Sequence, residues 1–521
     1  MTESLADAFA ARAARDPAAP ALLWAGSTVT YGELDALRAR AAAGLAELGL
    51  EPGVPVGILG KKSPEAIALV LACLGDRRPF LLPSIELAPD TLDALFAQAG
   101  ASHVLSPSTG GGEAPLVARP VERADGDGDG PGLPASAEGP EGVAFMLTTS
   151  GSTGLPKIVP LSPAGVWRFT DWAAAQFGIG PGTTVLNYAP LNFDLCLLDI
   201  WSTLKAGGCV AMVDQDRGTN GAYLVDLLAA NEVNVIQAVP MLYRLLIDAT
   251  REDGTRFPAA AHVMSTGDKI PASSLEQLPE LFPNARFFNI YGCTETNDSL
   301  MYEFDLTGGA PVNIPVGSPL PGVIALMVSP EGEFVDGAGT GELVVWTPFQ
   351  TRGYLTAELN AGKFVTYPAP DGDGNGGGDG GGGGSGGEKI FFRTGDIVRR
   401  HDDGSMTLEG RADFYVKVRG VRVSTQVVEQ AIMEHPEVIE VAVVAVPDEL
   451  AGSRLHALVR KEEGGKLNSL KLRQHCAGRL ARTEMPSSIE VVTEPLPKTP
   501  TGKIDRKRCL PRQERTTSKN G

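Results

Sequence analysis

Residues 147–162, LTTSGSTGLPKIVPLS, combine glycines, hydroxyl side chains and one lysine directly after an apolar segment. Small polar residues are typical of flexible linkers. Exposed backbone N–H groups, hydroxyls and a single cation are also what a loop needs to hold a polyphosphate. The run closes on Pro156–Lys157, and it does not match the GxxxxGK[ST] phosphate loop. From these residues alone, both interpretations remain open.

Four other short stretches place ionisable side chains beside glycines or hydroxyls. They are NIYGCTETND (289–298) with Glu295, FFRTGDIV (391–398) with Asp396, LEGRADFYVKVRG (408–420) with Arg411, Asp413, Lys417 and Arg419, and PKTPTGKIDR (497–506) with Lys503. Taken singly, each has an ordinary structural explanation: a helix cap, a turn residue, a surface salt bridge or one charge in a basic tail. A chemical role requires that several of them act together.

The elements that must position these residues follow from the alternation of short apolar segments with helical patterns. Strand-like segments occur at 56–60, 185–190, 233–239, 262–267 and 286–292. Such β/α alternation predicts a mainly parallel sheet covered by helices, with ligands at the carboxyl ends of the strands. Both TTSGSTG and IYGCTETND follow strands of this kind.

Composition limits the class of protein. A chain of 521 residues requires more than one domain. No apolar run approaches the ~20 residues of a membrane helix. The net charge of −18 disfavours nonspecific binding to nucleic acid. The six cysteines form no CxxC pair, which favours buried reduced thiols over disulfides or a zinc site. Acidic residues near the N-terminus argue against a transit peptide and predict a cytoplasmic location.

Two Gly-rich segments, 107–142 and 371–387, contain too little apolar surface to offset their chain entropy, which predicts disordered surface loops. After about residue 412 the pattern changes. Strand-like and helical segments then alternate over about 100 residues, a usual size for a compact α+β domain.

Together, and in this order, the motifs resemble those of the adenylate-forming enzymes, which include amino-acid adenylation domains of nonribosomal peptide synthesis, acyl-CoA synthetases and luciferases. The resemblance implies an α/β fold with a large N-terminal domain of mixed and parallel sheets with helices, residues 1–411. A small mobile α+β C-terminal domain, residues 412–521, would follow a hinge near Asp413. Because RTGD (393–396) follows the run at 371–387, we expect that run to be an insertion in the large domain. Two residues depart from the family pattern. Ile158 stands where the family usually has glycine, and Cys293 stands where proline is common.

The same resemblance assigns roles to the motif residues. The β- and γ-phosphates of ATP would be held by Thr149, Ser150, Gly151, Ser152, Thr153, Gly154 and Lys157. Asn289, Tyr291 and Gly292 would line the nucleotide site, Thr294 would bind the α-phosphate, and Glu295 would bind Mg²⁺. Asp396 and Arg411 would hold the ribose, and Arg419 and Gly420 would border a thiol tunnel. Lys503 would bridge the substrate carboxylate and the α-phosphate, as the catalytic cation.

Phe193–Asp194 is the most informative pair for the substrate. In amino-acid-activating members of the family, an aspartate at this point binds the α-ammonium group; the alternative is that Asp194 caps the following helix. The pocket wall would include Leu195, Leu198, Ser265, Thr266, Gly267, Ile290 and Asp298. The leucines favour a small or moderately apolar side chain such as that of alanine, serine or proline. Asp298 could instead meet a hydroxyl, a second ammonium, or the shifted amino group of a β-amino acid.

The function implied by the resemblance is ATP-dependent conversion of an amino acid to an aminoacyl-AMP with release of pyrophosphate. Too few residues follow Lys503 for a carrier domain, and no Gly-Gly-x-Ser-Leu site appears, so the acceptor would be the phosphopantetheine thiol of a separate carrier protein. Neither nucleic acid nor a membrane is expected as a partner. An acyl- or aryl-CoA ligase and an inactive nucleotide-binding paralogue are the alternatives. No GxGxxG opens a βαβ unit, which disfavours a nicotinamide dehydrogenase.

Overall fold

The computed structural model describes residues 3–108, 116–122, 142–149, 155–306, 309–311, 314–368, 388–411, 415–418, 421–448, 452–477, 479–480, 484–498 and 504–511. The chain divides into two compact units. The larger comprises residues 1–326, 344–394 and 400–407, and the smaller comprises residues 327–343, 395–399 and 408–521. The domain boundary at 411/412 and the hinge at Asp413 remain predictions, and Asp413 lies outside the described residues.

The described residues form twelve α-helices: α1 (Leu5–Arg15), α2 (Tyr31–Glu47), α3 (Pro64–Gly75), α4 (Pro89–Gln98), α5 (Pro163–Phe177), α6 (Thr203–Ala206), α7 (Gly221–Ala230), α8 (Pro240–Thr250), α9 (Ala272–Leu275), α10 (Leu278–Leu281), α11 (Thr425–Met433) and α12 (Ser469–Ala477). A π-helical segment spans Leu197–Ser202, and short 3-10 segments span Gln215–Arg217, Ala357–Asn360 and Arg506–Cys509. None of the helices in the described ranges is both long and apolar enough to cross a bilayer.

The strands are β1 (Pro20–Trp24), β2 (Ser27–Thr30), β3 (Val56–Ile58), β4 (Phe80–Leu82), β5 (His103–Pro107), β6 (Leu116–Pro120), β7 (Phe145–Thr149), β8 (Lys157–Leu161), β9 (Thr184–Asn187), β10 (Cys209–Met212), β11 (Val235–Ala238), β12 (His262–Thr266), β13 (Arg286–Cys293), β14 (Asn297–Phe304), β15 (Ser318–Pro319), β16 (Ile324–Val328), β17 (Gly339–Trp346), β18 (Phe364–Pro368), β19 (Glu388–Arg400), β20 (Met406–Arg411), β21 (Tyr415–Val418), β22 (Val421–Ser424), β23 (Val438–Asp448), β24 (Gly452–Lys461) and β25 (Ser488–Val492).

The largest sheet of the larger unit has nine strands in the order β15-β14-β13-β12-β11-β9-β10-β1-β2. Neighbouring strands from β13 to β1 in this order are parallel, whereas the outer pairings are antiparallel. The predicted parallel sheet is therefore confirmed. Strands β10 and β11 are buried throughout, and β9 and β12 are buried beyond their first residues, because helices cover both faces of such a sheet.

A second sheet has the order β6-β5-β3-β4-β7-β8, with β3, β4, β5 and β7 parallel. Strand β6 corrects the prediction of disorder throughout 107–142. It pairs antiparallel with β5, and Leu116 packs into the interior, so backbone hydrogen bonds and one buried side chain order this part of the segment. Residues 109–115 and 123–141, like 371–387, lie outside the described residues.

Local sequence explains where the helices begin. Ser4 accepts a hydrogen bond from the Asp7 N–H at the start of α1, and Thr30 with Glu33 forms a capping box at α2. Ser63 caps α3 and Pro64 occupies its first turn, where a missing N–H costs nothing. From Ala66 to Cys73, α3 is buried on every face, as expected for a helix that is apolar all round.

The smaller unit is an α+β arrangement, as predicted. Strands β21 and β22 form an antiparallel pair, and β23, β24 and β25 form a three-stranded sheet. The helices α11 and α12 contribute Val428, Ile432 and Leu472 to an apolar core with Val443 and Val459. In the larger unit, β18 pairs antiparallel with the first half of β19. Five of the six cysteines of the chain are buried.

Candidate active site

Strands β7 and β8 bring the two ends of the first motif together. They pair antiparallel, with Thr149 opposite Lys157. Ser150, Gly151, Ser152, Thr153 and Gly154 lie between them in the chain and outside the described residues. The two described ends of the motif therefore lie side by side at the carboxyl end of β7.

A tyrosine links this motif to the Tyr-Gly-x-Thr-Glu motif. The Lys157 ammonium lies 4.6 Å from the centroid of the Tyr354 ring. The Tyr354 hydroxyl donates a 2.6 Å hydrogen bond to Glu295 Oε1. Glu295 is buried, and the Tyr354 hydroxyl is the described donor to its carboxylate. Lys157 and Glu295, which are distant in sequence, thus contact the same tyrosine, one at its ring and the other at its hydroxyl.

The hairpin between β13 and β14 positions Thr294 and Glu295. Gly292 pairs with Asp298, and a Cβ atom at Gly292 would collide with the Asn297 carbonyl oxygen. Asn297 adopts the left-handed conformation, with φ 55°. The close return of the chain therefore requires glycine at 292, and it presents both candidate side chains at the sheet end.

Asn289 and Tyr291 precede this turn on β13. The Asn289 side-chain amide donates a 2.8 Å hydrogen bond to the Pro315 carbonyl. Both side chains are partly buried. The Asn289 contact fixes the segment before the turn, and a nucleotide-binding role for either residue remains a prediction.

Asp194 and Thr294 meet although 100 residues separate them. The Thr294 hydroxyl donates a 2.8 Å hydrogen bond to Asp194 Oδ2. The helical segment after Asp194 begins at Leu197 with Cys196 in the N-cap position, so Asp194 precedes the cap. The structure thus brings the candidate for the substrate ammonium next to the candidate for the α-phosphate.

Asp298 lies near this pair and bonds to a neutral partner. Gln237 Nε2, on β11, donates a 3.1 Å hydrogen bond to Asp298 Oδ2. Desolvation by the surrounding protein, and secondly the charge of Asp194, raise the pKa of Asp298 to about 7. Gln237 Oε1 and Ser265 Oγ are buried and bond to no other group in the described part of the chain. Gln237 Oε1 can accept a hydrogen bond from a ligand, and the Ser265 hydroxyl can donate or accept one.

The remaining candidates for the pocket wall lie partly at strands β12 and β13 and partly in the chain that follows β9. Ser265 and Thr266 end β12 and pair with Asn289 and Ile290 of β13. Gly267 follows with φ +79° and is exposed. Leu198 and Ile290 are buried, whereas Phe193 and Leu195 are partly exposed.

Asp396 and Arg411 form an ion pair within the smaller unit. Arg411 Nη1 donates a 2.8 Å hydrogen bond to Asp396 Oδ1. The Arg411 backbone N–H donates to Gln426 Oε1 of α11, at 3.1 Å. The side chain of Arg411 is 37% exposed and that of Asp396 is 12% exposed, so the guanidinium remains accessible. Arg419, Gly420 and Lys503 lie outside the described residues.

Gln237 and Tyr354 were missed by sequence reasoning. Gln237 interrupts the apolar run VNVIQAV, and a polar side chain in a buried strand is a signal that could have been used. Tyr354 follows a glycine in TRGYL, and its value depends on contacts that the local sequence does not reveal.

Nucleotide-site candidates on a parallel sheet, followed by a small α+β unit, define a class of two-domain adenylating enzymes. The sequence pattern of the family described as "AMP-binding enzyme" matches residues 9–355, and that of the "AMP-binding enzyme C-terminal domain" matches residues 427–503. The chain belongs to this family.

Individual relatives share about a quarter of the residues over nearly the whole chain. An L-proline–[L-prolyl-carrier protein] ligase of Pseudomonas fluorescens is 28% identical, over 93% of this chain and 87% of the relative. A D-alanine–D-alanyl carrier protein ligase of Bacillus licheniformis is 27% identical, over 92% of this chain and 93% of the relative. Phenyloxazoline synthase MbtB of a Mycobacterium species is 29% identical over 97% of this chain, which spans only 42% of that protein.

The fold is shared with solved adenylating enzymes. The o-succinylbenzoate CoA synthetase of Bacillus subtilis matches 97% of this chain and 98% of its own, with a TM-score of 0.77 and 20% identity. The likeness establishes the adenylate-forming fold for both units.

Proposed function

We propose that the protein converts an amino acid to an aminoacyl-adenylate with ATP and then transfers it to the phosphopantetheine thiol of a separate carrier protein. The observation that carries this proposal is the hydrogen bond between Thr294 and Asp194. It places a carboxylate suited to an ammonium group beside a hydroxyl suited to a phosphate. An amino acid presents its ammonium and its reacting carboxylate only a few bonds apart, which fits such a pair.

The first step joins the acid to the nucleotide. A substrate carboxylate oxygen attacks the α-phosphorus of ATP, the bond to the bridging oxygen breaks, and pyrophosphate leaves. Negative charge develops on the phosphoryl oxygens and the leaving group, so catalysis depends on placement and electrostatic stabilisation. Lys157 and the hydroxyls of 149–153 would hold the β- and γ-phosphates. Lys503 would neutralise the carboxylate and α-phosphate as they approach, and Asp396 with Arg411 would hold the ribose.

Glu295 is suited to a magnesium ion accompanying ATP. Its Oε1 accepts the Tyr354 hydroxyl, which fixes the carboxylate, while no described group donates to Oε2. Mg²⁺ is commonly bound by one or two carboxylates together with substrate phosphates. The ion would neutralise charge on the phosphates, and the o-succinylbenzoate CoA synthetase, a neighbour in fold, has been solved with ATP and magnesium.

The carboxylates around Asp194 favour an amino acid over a simple acid. Asp298 has an amide as its described partner, and no ion pair to it is present in the described part of the chain. A buried carboxylate without a cation is costly unless a ligand supplies the charge. An amino acid brings an ammonium group, whereas a fatty or aryl acid does not. This charge requirement also argues against an acyl- or aryl-CoA ligase.

The second step is transfer to a thiol. The sulfur attacks the acyl carbon of the adenylate, a thioester forms, and AMP leaves. The proline and D-alanine relatives are named as carrier-protein ligases, which supports a carrier protein as acceptor. The shared fold also includes a CoA synthetase, so fold does not choose between carrier and coenzyme A.

Pyrophosphate exchange tests the first step, across a panel of α-amino acids, β-amino acids and matched acids without an amino group. We expect exchange only with acids that bear an amino group. A preferred acid without one would overturn the amino-acid assignment. The acceptor is tested by supplying either holo-carrier proteins or coenzyme A after adenylate formation. Faster thioester formation on coenzyme A would favour the alternative.

A further inference from the structure

Two adjacent lysines precede α3 and differ in environment. Lys61 is exposed and forms a 2.6 Å ion pair with the exposed Asp216. Lys62 is 2% exposed, although a buried lysine is rare unless its charge is satisfied. The pair offers a natural comparison between a surface cation and an interior one.

The Lys62 ammonium bonds to the start of the segment that bears Asp194. Its Nζ donates hydrogen bonds to the carbonyls of Asn187, at 3.1 Å, and Ala189, at 3.0 Å. Asn187 ends β9, and the chain from residue 188 to residue 196 then leads through Phe193 and Asp194. We call these residues the 188–196 segment.

Asn187 ties the far end of the same segment. Its side-chain amide lies 3.3 Å from Asp199 Oδ2 and 3.5 Å from Cys196 Sγ, and both partners are buried. The same amide lies 3.3 Å from the Ala189 carbonyl. Lys62 and Asn187 therefore fasten both ends of the 188–196 segment to the carboxyl end of β9.

The lysine is not needed to satisfy these carbonyls. The Asn187 carbonyl also accepts the Val213 N–H at 3.0 Å, and the Ala189 carbonyl also has the Asn187 amide. A buried cation carries a desolvation penalty, which the nearby charge of the buried Asp199 offsets in part. Both described hydrogen bonds of the ammonium go to the start of the 188–196 segment, so these contacts indicate a role in holding that segment.

We propose that Lys62 is a positioning residue for amino-acid recognition, whose ammonium fixes the 188–196 segment so that Asp194 meets the substrate ammonium. Lys62 acts through the segment and does not touch the substrate. The inference rests on the proposed function, because it takes Asp194 as the group that binds the amino acid.

The test compares Lys62→Met, which keeps most of the side-chain length and removes the ammonium group, with Lys61→Met as the matched surface control. In Lys62→Met we expect the KM for the amino acid to rise about tenfold. The KM for ATP should stay within twofold. Lys61→Met should behave like the wild type. Lys62→Arg keeps a cation and hydrogen-bond donors, so its KM for the amino acid should lie between those of the wild type and Lys62→Met.

A second readout does not depend on activity. The backbone N–H groups of Phe193, Cys196 and Leu197 bond to the carbonyls of Pro190, Phe193 and Asp194. We expect their hydrogen exchange to accelerate at least tenfold in Lys62→Met and to be unchanged in Lys61→Met.

An unchanged amino-acid KM in Lys62→Met would overturn the inference. So would a lower thermal midpoint with both KM values raised, since that would show a general structural role. If the wild type activates no amino acid, the proposed function fails, and unchanged hydrogen exchange in Lys62→Met would separately reject the anchoring of the segment.

Discussion

Two candidate-site carboxylates, Asp298 in the larger unit and Asp396 in the smaller, are balanced in different ways. Asp396 accepts a 2.8 Å hydrogen bond from the Arg411 guanidinium, so the protein itself supplies the cation. Asp298 accepts from the neutral amide of Gln237, and burial raises its pKa to about 7. A site whose charge is already balanced suits a neutral partner such as a ribose hydroxyl. A site short of positive charge suits a ligand that brings a cation.

Asp194→Ala gives the largest expected effect on the amino-acid side of this comparison, because Asp194 lies beside Asp298. Removing the carboxylate that accepts from Thr294 should raise the amino-acid KM about 100-fold, which corresponds to the roughly 3 kcal/mol of a strong charged hydrogen bond. The KM for ATP should be unchanged. Steady-state pyrophosphate exchange measures both constants, and Asp216→Ala, which removes an exposed carboxylate, is the control. An amino-acid KM close to that of the wild type would show that Asp194 serves the fold and not the substrate.

Asp396→Asn should act on the nucleotide instead. We expect the KM for ATP to rise about tenfold, about 1.4 kcal/mol, because a charged acceptor for the ribose is lost. The amino-acid KM should not change. The same exchange assay with ATP varied measures the effect. If the variant altered amino-acid affinity and left ATP affinity intact, the division of labour between the two carboxylates would be wrong.

The strands that carry these residues were predictable, because buried parallel strands are short continuous apolar runs. Val235–Ala238 and His262–Thr266 fall within the expected segments 233–239 and 262–267. The contacts that complete the site were not predictable. Gln237 reaches Asp298 across 61 residues, and Tyr354 reaches Glu295 across 59. No local pattern encodes such partners.

Helix geometry and strand pairing also limited the prediction. The pattern after Asp194 predicts an α-helix, but Leu197–Ser202 is a π-helix, whose wider turn leaves no periodic signature in six residues. The glycine-rich neighbours of Leu116–Pro120 predict that it is part of a disordered loop. Its order comes from pairing with β5, which depends on a partner elsewhere in the chain.

Asp298→Asn should change the pH dependence of amino-acid binding. Because the pKa of Asp298 is raised to about 7, the carboxyl is mostly protonated at pH 6 and mostly ionised at pH 8. An ammonium ligand binds the ionised form, so the wild-type amino-acid KM should fall about tenfold from pH 6 to pH 8. Asp298→Asn should show a flatter profile.

The same shift has a consequence for stability without ligand. The folded state holds the Asp298 proton at pH values where the unfolded chain has lost it, so the contribution of this group to stability decreases as pH rises from about 4 to about 7. Thermal midpoints measured over this range should decline less in Asp298→Asn. Parallel thermal profiles in the wild type and in Asp298→Asn would show that a group other than Asp298 titrates over this range.

The smallest expected effect separates the two contacts of Tyr354. Tyr354→Phe keeps the ring beneath Lys157 and removes the hydroxyl bonded to Glu295. We expect a roughly threefold lower exchange rate at limiting Mg²⁺, since Glu295 loses its fixed orientation, and a smaller loss at saturating Mg²⁺. Tyr354→Leu also removes the cation–π contact, worth about 0.5–1 kcal/mol, so the KM for ATP should rise a further two- to fivefold. If the two variants are indistinguishable, the ring does not position Lys157. If only Tyr354→Leu is impaired, the hydroxyl does not orient Glu295. The two outcomes therefore assign each contact of this tyrosine independently.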